Sequence, residues 1–352
     1  MKLHIFNPEH DIALASNLAN FTAPHAGRAL RNDLGFLPAL WAAEGDVVLV
    51  ENAEEAQKVF KRFVASARLK CPAPRLVTKR DISSISVDGI EPWGWDAALR
   101  AQLLRYGVDE RIMPTSDEIE EIRNLSHRRC AALVLHELQS DATTGCAYCC
   151  QTLDEIEKKL HQYRHIVVKA PWSSSGRGIR FVCDSFPESM QRWVLNVIRA
   201  QGSVMVEPYY KKIKDFGMEF FSDGKGNIEY LGLSLFHAAN GAYVGNILAT
   251  EPVKEEMINH YVPMKTLKCI QEKIKLLTGR LYKGKYKGPF GVDMMVVEGK
   301  EGRGFLLHPC VEINLRRTMG HVALSLSPED DSVKRVMRII LEGNYKLRTR
   351  KM

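Results

Sequence analysis

The chain has 352 residues, with 49 Lys and Arg against 42 Asp and Glu, a formal charge of +7. Hydrophobic residues make up 45% and charged residues 26%, the balance of a folded globular protein, which excludes intrinsic disorder, collagen and coiled coil. At roughly 100–200 residues per domain, the length predicts two or three lobes with ample material for a core.

Leu3-His4-Ile5-Phe6 ends at the Asn7-Pro8 turn, and Asp46-Val47-Val48-Leu49-Val50 is a second apolar run. Both are predicted as buried strands, and helical spacing between and after them predicts alternating β and α with a mostly parallel sheet. Pro72, Pro74, Pro92 and Pro114 punctuate the stretch to about residue 115. Thr115 with Glu118, and Thr152 with Glu155, have capping-box spacing and mark helix starts. A helix is predicted over 126–139, and another through Leu153, Ile156, Leu160 and Tyr163. His165–Ala170 is a short buried strand, 171–178 a loop of mostly small residues, and Ile179–Val182 the returning strand. Met190, Trp193, Val194, Val197 and Ile198 predict an amphipathic helix, and Val204–Glu207 a strand ending at Pro208. Strands are predicted at 216–222, 228–235 and 242–248, with a hairpin turn at 223–227. A long helix is predicted over about 255–278, then strands near 290–298 and 304–313. Val333, Val336, Met337, Ile340 and Leu341 follow helical spacing and predict a closing helix.

The apolar runs are far shorter than the roughly 20 residues of a spanning helix, and the N-terminal one breaks too soon for a signal peptide. Neither a membrane partner nor secretion is expected. The eight cysteines are scattered along the chain, which fits a reducing, cytoplasmic location rather than a disulfide framework. Cys146, Cys149 and Cys150 contain one C-x-x-C without the second pair a zinc site wants. The positive charge is dispersed, except for Lys346, Arg348, Arg350 and Lys351, which read as a solvated tail. No stripe of alternating aromatic and basic residues points to a nucleic acid partner.

Lys169 ends a buried strand and the 173–178 turn of Ser, Gly and Arg follows at once. Small residues let backbone N–H groups approach phosphate oxygens, and the lysine adds a point charge. The same segment also reads as a plain β-hairpin. Further on, a period of two places Asp293 opposite Phe290, Val292, Met294 and Val296, inside an apolar run. The same period puts Glu312, Asn314 and Arg316 on one face of their strand. Buried carboxylates need partners, and an oxygen set suits Mg²⁺; an ion-pair network with Arg316 or Arg317 is the other outcome. Near the first strand, His10, Asp11, His25, Arg28 and Arg31 stand where ligands often bind in parallel sheets. Trp93 and Trp95 are expected to pack on the domain. His237, His308 and His321 are expected as hydrogen-bonded polar residues.

Five segments in order carry a resemblance: Val167-Val168-Lys169-Ala170-Pro171, Ser174-Ser175-Gly176-Arg177-Gly178-Ile179, Val204-Met205-Val206-Glu207-Pro208, Gly288-Pro289-Phe290-Gly291-Val292-Asp293 and Glu312-Ile313-Asn314-Leu315-Arg316. Together they resemble the ATP-grasp superfamily of carboxylate-amine and carboxylate-thiol ligases, over about 126–320. The resemblance implies an α/β protein: an ATP-grasp fold behind an N-terminal Rossmann-like pre-ATP-grasp domain. The implied domains are 1–115, 116–206 with the phosphate loop, and 207–352 with the metal and catalytic residues.

It also implies roles. Lys169 would contact phosphates and assist catalysis, and Ser174, Ser175, Gly176 and Gly178 would lie in a phosphate lid. Glu207, Pro208 and Tyr209 would meet adenine at a hinge, and Asp215 the ribose. Asp293, Glu312 and Asn314 would hold Mg²⁺, with Mn²⁺ an alternative, and Arg316 would stabilise charge on the transferring group. Where the family often has a second phosphate lysine, the nearest residue is Arg128. The implied activity is ADP-forming ligation of a small-molecule carboxylate to an amine through an acyl phosphate. An ATP-grasp kinase-like phosphotransferase and a non-catalytic ATP-binding regulatory module are the alternatives.

Overall fold

The computed structural model describes residues 1–69, 71, 73–173, 176–239, 242–299, 302 and 304–352. In chain order the elements begin with β1 (Lys2–Ile5), α1 (His10–Ser16), α2 (His25–Leu34), β2 (Val47–Leu49), α3 (Ala53–Ala67), β3 (Arg75–Val77), β4 (Gly89–Pro92) and α4 (Ala97–Arg105). Next come α5 (Ser116–Leu125), α6 (Arg128–Glu137), β5 (Tyr148–Cys150), α7 (Leu153–Tyr163), β6 (His165–Lys169), β7 (Ile179–Cys183), α8 (Glu188–Gln201) and β8 (Val204–Pro208). The remainder is β9 (Lys212–Ser222), β10 (Ile228–Ser234), β11 (Phe236–Ala239), β12 (Ala242–Leu248), α9 (Glu251–Asn259), α10 (Met264–Tyr282), β13 (Gly288–Glu298), β14 (Phe305–Asn314), α11 (Met319–Ser325), β15 (Arg335–Glu342) and β16 (Asn344–Lys351).

The chain divides into two compact units. The first combines Met1–Arg123, Val244–Thr250 and Arg316–Met352; the second combines Asn124–Tyr243 and Glu251–Leu315. The C-terminal residues from Arg316 therefore group with the N-terminus rather than with β13 and β14.

In the first unit, β1 to β4 form a sheet in the order β3-β2-β1-β4 with all neighbours parallel. Leu3, Ile5, Val47 and Val77 pack against Leu99 and Leu103 of α4. Helix starts are fixed locally: Asn52 caps α3 by accepting from Glu55 N at 3.1 Å, and Asp96 caps α4 by accepting from Leu99 N at 2.9 Å. The strand order reverses direction at β1, so the crevice between the carboxyl ends of β1 and β4 is the ligand position such sheets favour.

The second unit has two antiparallel sheets, ordered β5-β8-β6-β7 and β10-β9-β13-β14. One face of the first sheet, including Ile166, Val168, Val204 and Val206, packs on Ile156 and Leu160 of α7 and Val194 of α8. In the second sheet Phe220 and Phe290 stack with ring centroids 5.2 Å apart, and Tyr282 of α10 meets Phe290 edge-on. Both capping boxes are present: Thr115 with Glu118 before α5, and Thr152 with Glu155 before α7.

Two expectations are corrected. The closing helix is a strand: β15 pairs with β16 through a hairpin at Gly343, whose φ of 73° a glycine adopts readily. The basic tail is strand β16 itself, with Leu347 buried, while Arg348, Arg350 and Lys351 stay exposed as expected of solvated charges. The predicted helix over 255–278 is two helices, α9 and α10, because Pro263 can start a helix but not continue one. Trp93 is buried edge-on against Phe6, as expected of a packing aromatic.

Candidate functional site

The candidate site is in the second unit. β6 and β8 are the central strands of their sheet, with Glu207 directly across from Val167. Lys169, two residues on, shares that face and lies diagonally across from Glu207. Its Nζ donates to Glu207 Oε2 at 2.6 Å, and both side chains are buried. A buried charge pair of this kind holds only while both partners are present.

Arg128 connects this strand end to the second sheet. It stands at the start of α6, where His127 caps the helix by accepting from Arg129 N. Its guanidinium donates to Ala170 O, to Ser173 Oγ at 3.0 Å and to Glu312 Oε1 at 2.7 Å. One arginine thus ties the end of β6 and the start of the following loop to β14.

On β13 and β14, Asp293 and Glu312 are direct cross-strand partners. Asn314 lies on the same face, and its amide donates to Asp293 Oδ2 at 3.1 Å. Gly217 of β9 stands across from Asp293. A Cβ there would lie 3.4 Å from Asp293 Oδ1 and 3.1 Å from Val292 O, so the missing side chain keeps space beside the carboxylate. Two carboxylates and an amide, half-buried beside that space, fit a hard divalent cation such as Mg²⁺.

Gly178 sits where a Cβ would collide with Ser173, and Gly176 has φ of 71°, so both positions favour glycine. Ser174 and Ser175 lie outside the described residues. Pro208 ends β8, and Tyr209 is half-exposed, its N–H bonded to His165 O. Asp215 is paired with Lys212 at 2.5 Å. Arg316 belongs to the first unit, where it makes a bidentate ion pair with Asp11 at 2.8 and 2.7 Å. The structure thus brings Arg128, Lys169 and Glu207 together with Asp293, Glu312 and Asn314 in one unit, and holds Arg316 on Asp11 in the other.

Two residues went unassigned from sequence. Glu219, buried and across from Gly291, shares the Asp293 face. An acid between Met218 and Phe220 in an apolar strand was its signal. His308, expected to be hydrogen-bonded, has no partner for either ring nitrogen among the described residues. Its ring packs edge-on to Tyr210 and against Gly145, where a Cβ would lie 2.6 Å from Nε2. Burial first, and the Lys169 charge second, push its pKa down to about 3, so the imidazole is neutral. Burial likewise raises the Cys310 thiol. His237 is exposed, and His321 belongs to the first unit, where its Nδ1 accepts from Thr318 N to complete the cap of α11. All eight cysteines are free thiols. Among the described residues no helix is long and apolar enough to cross a membrane.

No family model and no curated protein sequence matches the chain. Solved structures do. The chain is similar to the N5-carboxyaminoimidazole synthetase of Staphylococcus aureus complexed with ADP (TM-score 0.52, 12% identity, covering 97% of this chain and 82% of that one). It is similar to the biotin carboxylase domain of the 2-oxoglutarate carboxylase of Hydrogenobacter thermophilus in complex with MgADP, ADP and bicarbonate (TM-score 0.54, 13% identity, 96% and 74% covered). It is also similar to the biotin carboxylase of Campylobacter jejuni in a beta-gamma-ATP complex (TM-score 0.52, 14% identity, 96% and 75% covered). These are ATP-grasp proteins. The chain has the ATP-grasp fold, an α/β architecture of mixed helix and strand.

Proposed function

We propose that the protein is an ATP-dependent, ADP-forming ligase that joins a small-molecule carboxylate to an amine or similar nucleophile. One observation carries this: the in-register Asp293–Glu312 pair, with Asn314 beside it, is tied through Arg128 to the strand end that bears Lys169. An oxygen set for a divalent cation next to a lysine at a glycine-bearing turn is what holding nucleotide phosphates requires.

Asp293, Glu312 and Asn314 would hold Mg²⁺, or Mn²⁺ in its place. Lys169 and Arg128 would neutralise phosphate charge, with the 173–178 loop folding over the phosphates. Glu207, Pro208 and Tyr209 would meet the base, and Asp215 the ribose. Mg-ATP supplies the phosphoryl group that turns a carboxylate into an electrophile with a good leaving group. The chain's part is orientation, charge stabilisation and exclusion of water. Lys169 must exchange Glu207 for phosphate, and Glu312 must exchange Arg128 for the cation. Stabilisation of the transferring phosphoryl group by Arg316 stays within the proposal, with the Asp11 ion pair as the bond it must exchange.

The test is a thermal-shift titration with Mg-ADP and a non-hydrolysable ATP analogue on wild type and Glu312→Gln, each against its own baseline. Ligand at 100 times its dissociation constant should stabilise wild type by about 2.7 kcal/mol, with a clearly smaller magnesium-dependent gain in the variant. Carboxylate–amine pairs are then screened for ADP release. Product accompanied by AMP and pyrophosphate would overturn the ADP-forming assignment.

A further inference from the structure

The first unit contains a cavity of about 170 Å³ whose wall includes Asn7, Glu9, Arg28, Arg31, Gln102 and Arg105. It lies at the crevice marked by the strand order, because Asn7 and Glu9 follow β1 and Asp96, also on the wall, follows β4. Asp96 is committed to the protein: it accepts from Asn7 Nδ2 at 3.2 Å and Leu99 N at 2.9 Å, and contacts His10 Nδ1 at 3.1 Å. Glu9 is different. Its Oε1 accepts from Arg31 Nη1 at 2.7 Å, while its buried Oε2 has no hydrogen-bond partner among the described residues. The residue is only 8% exposed, and burial raises its pKa despite Arg31.

A buried carboxylate oxygen without a donor is costly unless something supplies one. Arg28, Arg31 and Arg105 line the same wall, the residue type suited to binding a carboxylate; Arg28 Nη1 also donates to Ala23 O at 2.8 Å. Arg28 and Arg105 are exposed at the rim, and Arg31 is already engaged with Glu9. A wholly anionic ligand would meet Glu9, and a wholly cationic one would meet the arginines. At about 170 Å³ the space lies below the roughly 300–1,000 Å³ of drug-sized ligand sites, which suits a small molecule.

We propose that this cavity binds a small zwitterion, an α-amino acid or a molecule of the same charge pattern, with its carboxylate on Arg28 and Arg105 and its ammonium on Glu9 Oε2. That the zwitterion is the acceptor substrate rests on the ligase proposal above; its binding does not.

The experiment is calorimetric titration of the full chain, without nucleotide, using glycine, L-alanine and L-glutamate. Propionate, ethylamine and inorganic phosphate are run beside them. At least one amino acid should bind about tenfold or more tighter than propionate and ethylamine. Glu9→Gln, isosteric and expected to melt near wild type, should erase the preference for alanine over propionate. Arg105→Gln, at the exposed rim, should weaken the amino acid about tenfold without unfolding risk. Equal binding of propionate or phosphate, or a preference that survives Glu9→Gln, would overturn the assignment. So would silence from every probe at about ten times a millimolar dissociation constant. A Mg-ADP titration of the same sample separates the two proposals, since loss of amino acid binding with nucleotide binding intact removes this one alone.

Discussion

The candidate site of the second unit and the cavity of the first treat their carboxylates in opposite ways. In the second, Lys169 is bonded to Glu207, Arg128 to Glu312 and Asn314 to Asp293. In the first, the cavity wall keeps Glu9 Oε2 buried with no donor among the described residues. Paired groups are satisfied without ligand, and a ligand binds them by exchange. An unpaired one is preorganised and gains its missing partner only from the ligand. The second unit should therefore be sensitive to loss of any one member even without ligand, and the first should respond chiefly in binding.

The largest effect expected from this contrast is at Lys169. Lys169→Met leaves Glu207 as an uncompensated buried charge and should cost about 3–5 kcal/mol in urea unfolding. Lys169→Met combined with Glu207→Leu should recover most of that loss, because an apolar pair of similar volume replaces the ion pair. A double variant no more stable than the single one would show that the pair is not the source of the cost.

His308 gives the next effect, through pH. Its folded pKa of about 3 lies below the ordinary value of 6.5, so the folded protein favours the neutral ring. The unfolded chain takes up a proton first as pH falls. The contribution is full above about pH 6.5 and is lost progressively towards pH 3, at up to about 1.4 kcal/mol per pH unit. Lys169 and the Tyr210 ring are the groups facing it. The difference in stability between wild type and His308→Gln, followed across that window by urea unfolding, should fall with pH. A difference flat in pH would mean that the imidazole is not held neutral.

Gly145 should cost less, though it touches the same ring. Its φ is 121°, and a Cβ would press into the buried His308 imidazole. Gly145→Ala combines backbone strain with overpacking and should lower stability by about 2 kcal/mol. Gly202, whose φ is 85° and where a Cβ meets nothing within 4 Å, isolates the backbone part. If Gly202→Ala costs as much as Gly145→Ala, the contact with His308 contributes little.

The same contrast explains what could be read in advance. β6, β8, β13 and β14 were legible because each has an apolar run interrupted by a charged residue at a fixed period: Lys169, Glu207, Asp293 and Glu312. A charge inside a buried strand is a local signal, visible without knowing its partner. The parallel sheet of β1 and β2 was legible from two apolar runs with helical spacing between and after them. β15 was not, because Val333, Val336, Met337, Ile340 and Leu341 satisfy helical spacing and only pairing with β16 decides otherwise. Such pairing is a property of two segments together. The Glu9 cavity was half legible: Arg28 and Arg31 stood near the strand end, but burial of one carboxylate oxygen is a property of tertiary packing and cannot be read from spacing.

The smallest effect expected is a matched pair of helix caps, one in each unit. Asn52 accepts from Glu55 N at 3.1 Å at the start of α3, and Thr152 accepts from Glu155 N at 3.3 Å at the start of α7. Asn52→Ala and Thr152→Ala should each cost about 1 kcal/mol, since each removes one acceptor from an orphan backbone N–H. The backbone N–H of Thr152 also donates the return bond of the capping box to Glu155 Oε2 at 3.3 Å, and that bond survives the substitution. The loss at α7 should then be no larger than at α3. Followed by unit-specific hydrogen exchange, each substitution should loosen its own helix and leave the other unit's protection unchanged. Loosening of both would show that the units unfold as one, and the contrast between a closed site and an open one would then no longer be separable in stability measurements.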